Sequence, residues 1–207
     1  MPSEIARLET VRRVGTERSV ELAITYARGF ADDPFLQWML GGAGHDTSEA
    51  LWRYSLARLD TSSEVHAMED SSGSAWWVAP VGLRSDIPAP DSFDADAYWQ
   101  ILAAATTDEH VAKVRNFIAE MRAMAPDEPV WYLGAIAVDP SAQGQGIGTR
   151  LMAPMVARCD RTGTPAWLES TNPRNHMFYV RQGFEAVETI APTDGPPVTG
   201  FRRPPRG

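Results

Sequence analysis

A glycine-rich segment about two thirds of the way along the chain most constrains how it can fold. The run Val130–Val138 is apolar and β-favouring, and it stops at an Asp-Pro pair. Three glycines spaced two apart, Gly144, Gly146 and Gly148, then precede a stretch with helical periodicity. The pattern predicts a strand, a loop and a helix in that order.

Such a loop is suited to hold an anion. Glycines let the backbone turn sharply without a Cβ in the way. The first N–H groups of the following helix have no partner within the helix, and the helix dipole places partial positive charge there. Together these features predict a site for a phosphate or pyrophosphate.

Other glycine-rich phosphate loops fit less well. A Walker loop requires a lysine at its end, and the only lysine of the chain is Lys113, far from the loop. A dinucleotide fingerprint needs a glycine where Thr149 stands and an acid about 20 residues further on. Glu169 lies at about that distance, but the missing glycine leaves this interpretation weak.

The remaining motifs, taken in order, resemble the GCN5-related N-acetyltransferases, the GNAT superfamily. The pattern Gln143-x-x-Gly146-x-Gly148 is followed by Asn175-x-x-x-Tyr179 and a Gly-Phe pair. The resemblance covers residues 129–190, with a further match at 29–34. Within the superfamily the chain is most similar to the puromycin N-acetyltransferase branch. That similarity lies in Leu168-Glu169-Ser170, Pro173-Arg174-Asn175, Phe178-Tyr179 and Gly183-Phe184.

The resemblance implies an α/β fold with a mixed sheet. The GNAT fold has a central, mostly antiparallel sheet with a splayed parallel strand pair and helices on both faces. The length of 207 residues suits one domain, 1–207, and we expect a helical insertion at about 92–126.

Element boundaries follow from periodicity and turn residues. Strands are predicted at 8–14, 64–69, 74–79, 129–138 and 165–170, and helices at 16–33, 47–59, 107–124, 146–161 and 173–182. Residues 84–95 are rich in Pro, Asp and Ser and predict a loop. The tail 202–207 is expected to fray.

Composition narrows the class of function. Hydrophobic content of 43% and charged content of 22% are ordinary for a globular protein. The net charge of −8 argues against nucleic acid as a partner and is compatible with a cationic substrate or simply with solubility. One cysteine, Cys159, and four histidines without ligand spacing predict no disulfide framework and no catalytic metal.

The location and assembly of the protein are constrained only weakly. The N-terminus lacks the features of a signal peptide, and no apolar run approaches 18 residues. We therefore expect a cytoplasmic protein without a membrane partner. A monomer and a homodimer are both compatible with the sequence.

The resemblance also implies the site. The strand 129–138 would part from the strand 165–170 and admit the pantetheine arm of CoA, bonded by the backbone of Ile136, Ala137 and Val138. Asn175 would contact the same arm. The diphosphate would be held by the main chain of Gln143, Gly144, Gln145, Gly146, Ile147, Gly148 and Thr149.

The predicted chemistry is acetyl transfer from acetyl-CoA to a primary amine of a small, antibiotic-like molecule, by direct attack in a ternary complex. Tyr179 would protonate the departing sulfur, and Glu169 is the candidate base, although an edge carboxylate without a role fits the sequence equally. Phe35 and Trp99 are candidate substrate contacts. The alternatives are acetylation of a protein N-terminus or lysine, and a non-catalytic CoA-binding regulatory module.

Overall fold

A computed structural model describes residues 10–59, 61–80 and 95–206 of the chain. The seven strands are β1 Val11–Val14, β2 Ser63–Met68, β3 Gly73–Val78, β4 Trp131–Val138, β5 Ala166–Ser170, β6 Glu185–Ile190 and β7 Val198–Arg203. The helices are α1 Ser19–Gly29, α2 Pro34–Leu40, α3 Gly44–Leu56, α4 Ala95–Ala103, α5 Asp108–Arg122, α6 Ile147–Thr162 and α7 His176–Arg181. Short 3-10 turns at Thr16–Arg18, Pro140–Ala142 and Pro173–Asn175 precede α1, the glycine loop and α7.

The strands form a single sheet of order β1-β2-β3-β4-β5-β7-β6. All neighbouring pairs are antiparallel except β4 and β5, which run parallel. Helix α6 packs against β2, β3 and β4 on one face of the sheet. Helix α1 and part of α3 pack against the opposite face. The predicted fold class, a mostly antiparallel mixed sheet with one parallel pair and helices on both faces, is confirmed.

The parallel pair separates almost at once. Only Trp131 with Ala166 and Tyr132 with Trp167 are in register, although β4 continues for six more residues. On its other edge β5 pairs with β7 along all five of its residues. Beyond Tyr132 the edge of β4 that faces β5 is therefore open, as the resemblance implied.

A bulge in β4 changes which side chains face each core. Trp76 pairs with Ala135 and Trp77 with Leu133, so Gly134 is an extra residue on β4. A one-residue insertion moves the following side chains to the other face of the sheet. As a result Leu133 packs with the α6 core and Ala135 with the α1 core, although they are two residues apart.

One predicted helix boundary was wrong. The segment ending near Asp33 is not one helix, because α1 ends at Gly29 and Asp33 begins α2. The Asp33 Oδ1 atom accepts from the backbone N–H of Phe35 at 3.0 Å and of Leu36 at 3.1 Å. An acidic N-cap followed by Pro34 is typical of a helix start. Proline has no N–H, and the N–H of the first helical residue has no partner within the helix in any case.

The C-terminal region is more ordered than expected. Residues 185–190 and 198–203 form strands β6 and β7, neither of which the sequence predicted. Arg203, in the tail expected to fray, is 2% exposed. Its guanidinium donates to both carboxylate oxygens of Asp160, with Nη1–Oδ1 and Nη2–Oδ2 distances of 2.7 and 2.8 Å.

The expected helical insertion contains α4 and α5 in its described part. The loop predicted at 84–95 falls almost wholly on residues 81–94, outside the described residues. None of the helices among the described residues combines the length and the apolar composition that a membrane span requires.

Candidate active site

The glycine loop places a row of backbone amides at the start of α6. Gly144 and Gly146 have φ values of +77° and +75°, a left-handed conformation that glycine adopts without strain. The first amide with an acceptor in this segment is that of Arg150, which donates to the Gly146 carbonyl at 3.1 Å. No described backbone carbonyl accepts from the amides of 144–149, so they are available to an anion.

Side chains hold this loop in position. Gln143 Nε2 donates to the carbonyl of Val138 at 3.2 Å, and Gln182 Nε2 donates to Thr149 Oγ1 at 3.2 Å. Ile147 is 5% exposed and packs in the core, so only its backbone faces the loop. The side chain of Gln145 is exposed.

A cavity of about 140 Å³ lies next to the split between β4 and β5. One side of the cavity is formed by the segment that contains helices α1 to α3 and by α5. The other side is formed by the two diverging strands and by α7 with the turn before it. The lining residues are Phe30, Asp33, Phe35, Leu36, Trp52, Met121, Tyr132, Leu133, Gly134, Ala135, Ile136, Leu168, Glu169, Ser170, Thr171, Asn175 and Tyr179.

The cavity brings together several of the predicted site residues. Ile136, Glu169, Asn175 and Tyr179 all line it, and so does Phe35. These residues belong to separate elements and are spread over the chain from position 35 to position 179. Only the fold makes them neighbours.

Three other predicted contacts lie outside the cavity lining. Ala137 is buried against the α1 core, and Val138 packs with the α6 core. Trp99 packs in the α4–α5 region, edge-on to Tyr98 at 5.1 Å and beneath the guanidinium of Arg115 at 5.0 Å. Substrate contact by Trp99 stays a prediction.

Tyr179 is buried, with 7% of its surface exposed. Burial raises the pKa of its phenol well above the ordinary value, and the nearby Asp33 carboxylate raises that pKa further. The hydroxyl therefore keeps its proton at neutral pH. It can act as a hydrogen-bond and proton donor, not as a base.

Glu169 is the titratable group best placed to take up a proton. Its Oε1 accepts from Trp167 Nε1 at 2.5 Å, and the neighbouring Tyr132 hydroxyl also favours the ionised carboxylate. Burial outweighs both effects and raises the pKa of Glu169 to about 7. Its Oε2 is buried and has no partner among the described residues.

Sequence reasoning missed two polar groups of the cavity. Asp33 accepts from Thr171 Oγ1 at 3.3 Å, which ties the start of α2 to the end of β5, and burial raises the pKa of this carboxyl. The Asp33-Pro34 pair signals a helix start, but the sequence-based prediction interpreted it as a helix end. Trp52 lines the cavity from α3, and its place on an apolar helix face was the one local sign of this role.

The fold and the site define a class. The domain has a helix start with unpaired backbone amides, an open strand edge beside it, and a cavity lined by a tyrosine that keeps its proton and a carboxylate with a raised pKa. The model of the Acetyltransferase (GNAT) family matches residues 66–184, more than half of the chain. The chain therefore belongs to this family of acyltransferase enzymes.

Relatives agree with the family assignment. An uncharacterized N-acetyltransferase of Schizosaccharomyces pombe is 34% identical over 64 residues, which is 31% of this chain and 26% of that protein. The match thus spans about a quarter of the length of that relative.

Solved structures share the fold over nearly the whole chain. The crystal structure of histone acetyltransferase HPA2 and related acetyltransferase from Corynebacterium glutamicum has 22% identity and a TM-score of 0.68, covering 96% of this chain and 97% of that one. A Drosophila melanogaster polyamine N-acetyltransferase that forms N-acetylagmatine has 13% identity and a TM-score of 0.62, covering 94% and 99%.

The residues present fit acetyl-CoA, the acyl donor of the family. The unpaired amides of 144–149 suit a diphosphate, and the open edge of β4 offers backbone groups to an extended arm with amides of its own. Among the described residues no group of three or more possible metal ligands lies together.

Proposed function

We propose that the protein transfers an acetyl group from acetyl-CoA to a primary amine of a small molecule, by direct attack in a ternary complex. The observation that carries the proposal is the cavity beside the strand split, whose walls include both Glu169 and Tyr179. Neither residue alone would point to acyl transfer. Together they supply a proton acceptor and a proton donor on one ligand site.

The cofactor would be bound mainly by the main chain. The amides of Gly144 to Thr149 would hold the diphosphate, and the open edge of β4 near Ile136 would bond the pantetheine arm. Asn175, one helical turn before Tyr179, would contact the same arm from the start of α7. Arg150, in the first turns of α6, would add charge attraction near the phosphates.

Bound acetyl-CoA supplies a thioester carbonyl that an unprotonated amine can attack. Glu169 would take a proton from the amine, because a carboxyl with a pKa near 7 is ionised in a useful fraction at neutral pH and is still basic enough to accept. Tyr179 would donate its hydroxyl proton to the leaving sulfur. Backbone N–H groups at the open edge of β4 would stabilise the charge that builds on the carbonyl oxygen.

The size of the cavity suits a small acceptor. Its volume is about 140 Å³, between aromatic side chains from the segment that contains helices α1 to α3 and the two strands. Carboxylates of Asp33 and Glu169 on its walls suit a cationic amine. The fold likeness to a polyamine acetyltransferase is compatible with this choice, and an antibiotic-like acceptor rests on the sequence resemblance alone.

The test is thiol release from acetyl-CoA with a panel of primary amines and a lysine peptide, alongside direct measurement of acetyl-CoA binding. We expect turnover with small amines and none with the peptide. Turnover with the peptide alone would indicate a protein acetyltransferase, and binding without any turnover would indicate a regulatory module.

Tyr179→Phe tests the site within the same assay. We expect unchanged acetyl-CoA affinity and a rate reduced at least about tenfold, since general acids typically contribute about 10²–10⁴-fold. Phe178→Leu, one position earlier on α7, keeps the hydroxyl of Tyr179 and serves as the matched control. Equal rates for Tyr179→Phe and the unmodified protein would remove the hydroxyl from the mechanism.

A further inference from the structure

The wall of the cavity formed by α3 carries a buried hydrogen-bond donor without an acceptor. Trp52 lines the cavity, and its indole N–H is buried with no partner among the described residues. A buried donor that has lost its water without gaining a partner is unfavourable, and most such groups in folded proteins are paired. A ligand that brings an acceptor atom would satisfy it.

Packing holds the Trp52 ring in place. The Trp52 ring stacks on Tyr26 with centroids 4.7 Å apart and on Phe30 with centroids 5.2 Å apart, at an interplanar angle of 26° in both pairs. Tyr26 is fully buried, and its hydroxyl lies 3.3 Å from Ser74 Oγ on the sheet. The indole therefore cannot turn to find another acceptor without breaking this stack.

The strand wall of the same cavity carries an unpaired group of the opposite kind. Glu169 Oε2 is a buried acceptor with no partner among the described residues. Both residues line the cavity, Glu169 from β5 and Trp52 from α3, so one wall includes a residue with an unpaired acceptor and another wall a residue with an unpaired donor. The walls also include apolar side chains such as Phe30, Leu36 and Leu133.

We propose that Trp52 is a specificity residue, and that the acceptor substrate is a small amine carrying a hydrogen-bond acceptor atom at the end remote from its amino group. The amino group lies at Glu169, and the remote ring nitrogen or ether, hydroxyl or carbonyl oxygen accepts from Trp52 Nε1. This inference rests on the proposed function and narrows its substrate class. Such amines should be better substrates than purely hydrocarbon amines of the same shape.

The test uses pairs of amines that differ only in the acceptor atom. 4-(Aminomethyl)pyridine is compared with benzylamine, and 4-aminobutan-1-ol with pentylamine, by kcat/KM for the amine at saturating acetyl-CoA. Binding of each amine to the full chain with CoA present is measured in parallel. Amine basicity differs within a pair, but it cancels when the ratio of the two kcat/KM values is compared between protein variants.

Trp52→Phe removes the N–H and keeps an aromatic ring. We expect Trp52→Phe to lower the ratio of kcat/KM for the acceptor-bearing amine to kcat/KM for the hydrocarbon amine about tenfold in each pair. Most of the change should be a loss of kcat/KM for the acceptor-bearing amine. If Trp52→Phe is unstable, benzothienylalanine at position 52 keeps the bicyclic shape and replaces the N–H by sulfur. Trp76→Phe is the matched control, because Trp76 Nε1 is also buried and unpaired among the described residues but Trp76 does not line the cavity.

The outcomes are distinct. A ratio unchanged in both position-52 variants, or lowered equally by Trp76→Phe, overturns the specificity role while leaving amine acetylation intact. If no amine in either series is acetylated while acetyl-CoA binds, the proposed function fails, and the inference fails with it. A ratio lowered only at position 52, in turnover and in binding, supports it.

Discussion

At the scale of single residues, Glu169 combines two properties that oppose each other. Burial disfavours its ionised form, while the bond from Trp167 and the neighbouring Tyr132 hydroxyl favour it. Because burial prevails, the pKa rises to about 7, close to the pH at which a general base works best. The same shift predicts a measurable effect on the reaction and on stability.

Glu169→Gln should slow acetyl transfer and remove a limb from its pH dependence. In the unmodified protein we expect kcat to fall as the pH drops below about 7, because Glu169 becomes protonated there. The variant should be slower by about 10²-fold at pH 8 and should lose this limb. The measurement is kcat against pH at saturating acetyl-CoA and amine, with Glu188→Gln on the exposed strand β6 as control. A limb near pH 7 that survives in Glu169→Gln would assign it to another group.

The stability of the same variant follows from the sign of the shift. The folded-state pKa is raised, so the folded protein binds this proton more tightly than the unfolded chain does, and ionisation of Glu169 destabilises the fold as the pH rises through 7. Glutamine has no such charge. We expect Glu169→Gln to raise the free energy of unfolding at pH 8 by up to about 3 kcal/mol and to change it little at pH 5. Urea titrations at the two pH values measure this, and an equal change at both would contradict it.

At the scale of elements, the glycine loop works through its backbone conformation. Gly146→Ala places a Cβ on a residue with φ of +75° in open space, so the change strains the backbone without a clash inside the protein. Such strain costs about 1–2 kcal/mol for a residue other than glycine. The added methyl would also lie where the proposed diphosphate approaches.

Gly163→Ala is the matched control for this element. Gly163 ends α6 with φ of +66°, and no atom lies within 4 Å of the position that an added methyl would take, so the change carries similar strain at the far end of the same helix. We expect both variants to lose similar stability in urea titrations. Only Gly146→Ala should weaken acetyl-CoA binding, by about tenfold or more in a direct binding assay. Equal acetyl-CoA affinity in both variants would argue against the loop as the phosphate site.

Elements with strong local signals could be predicted from the sequence, and those fixed by tertiary packing could not. The strand, loop and helix from Trp131 to Thr162 carry their own turn residues and periodicity, and the structure matches them closely. Strand β7 has two arginines and a glycine, an unpromising strand sequence. Its Gly200 packs on the Trp167 ring, where a Cβ would come within 2.7 Å, a reason visible only in the fold.

The same distinction applies to the site. Tyr179, Glu169 and Asn175 belong to a dense local motif, so they could be named before the cavity was seen. Trp52 and Asp33 lie more than 100 residues earlier in the chain. Asp33 belongs to the short match at 29–34, but that match gave it no role in the site, and no local pattern marked Trp52 as a site residue. They line the cavity because the segment that contains helices α1 to α3 covers the open strand edge.

At the scale of the whole molecule, the split between β4 and β5 depends on β7. A strand that leaves its neighbour after two paired residues needs support on its other edge. Strand β7 gives this support by pairing with every residue of β5. The C-terminal segment therefore holds one wall of the site in place, although it contributes no residue to the cavity lining as described.

Arg203 anchors this support to the rest of the fold. It pairs bidentately with Asp160 on α6, and its Nε donates to the carbonyl of Gln182 at 3.1 Å, so one side chain joins β7 to two helical segments. We expect Arg203→Ala to lower the free energy of unfolding by about 2–4 kcal/mol, because it removes a buried cation from its partners. Arg202→Ala is the control, since Arg202 pairs with Glu128 at the surface and such pairs contribute at most about 1 kcal/mol. Urea unfolding of both variants decides the matter: equal losses would mean that β7 is held by strand pairing alone.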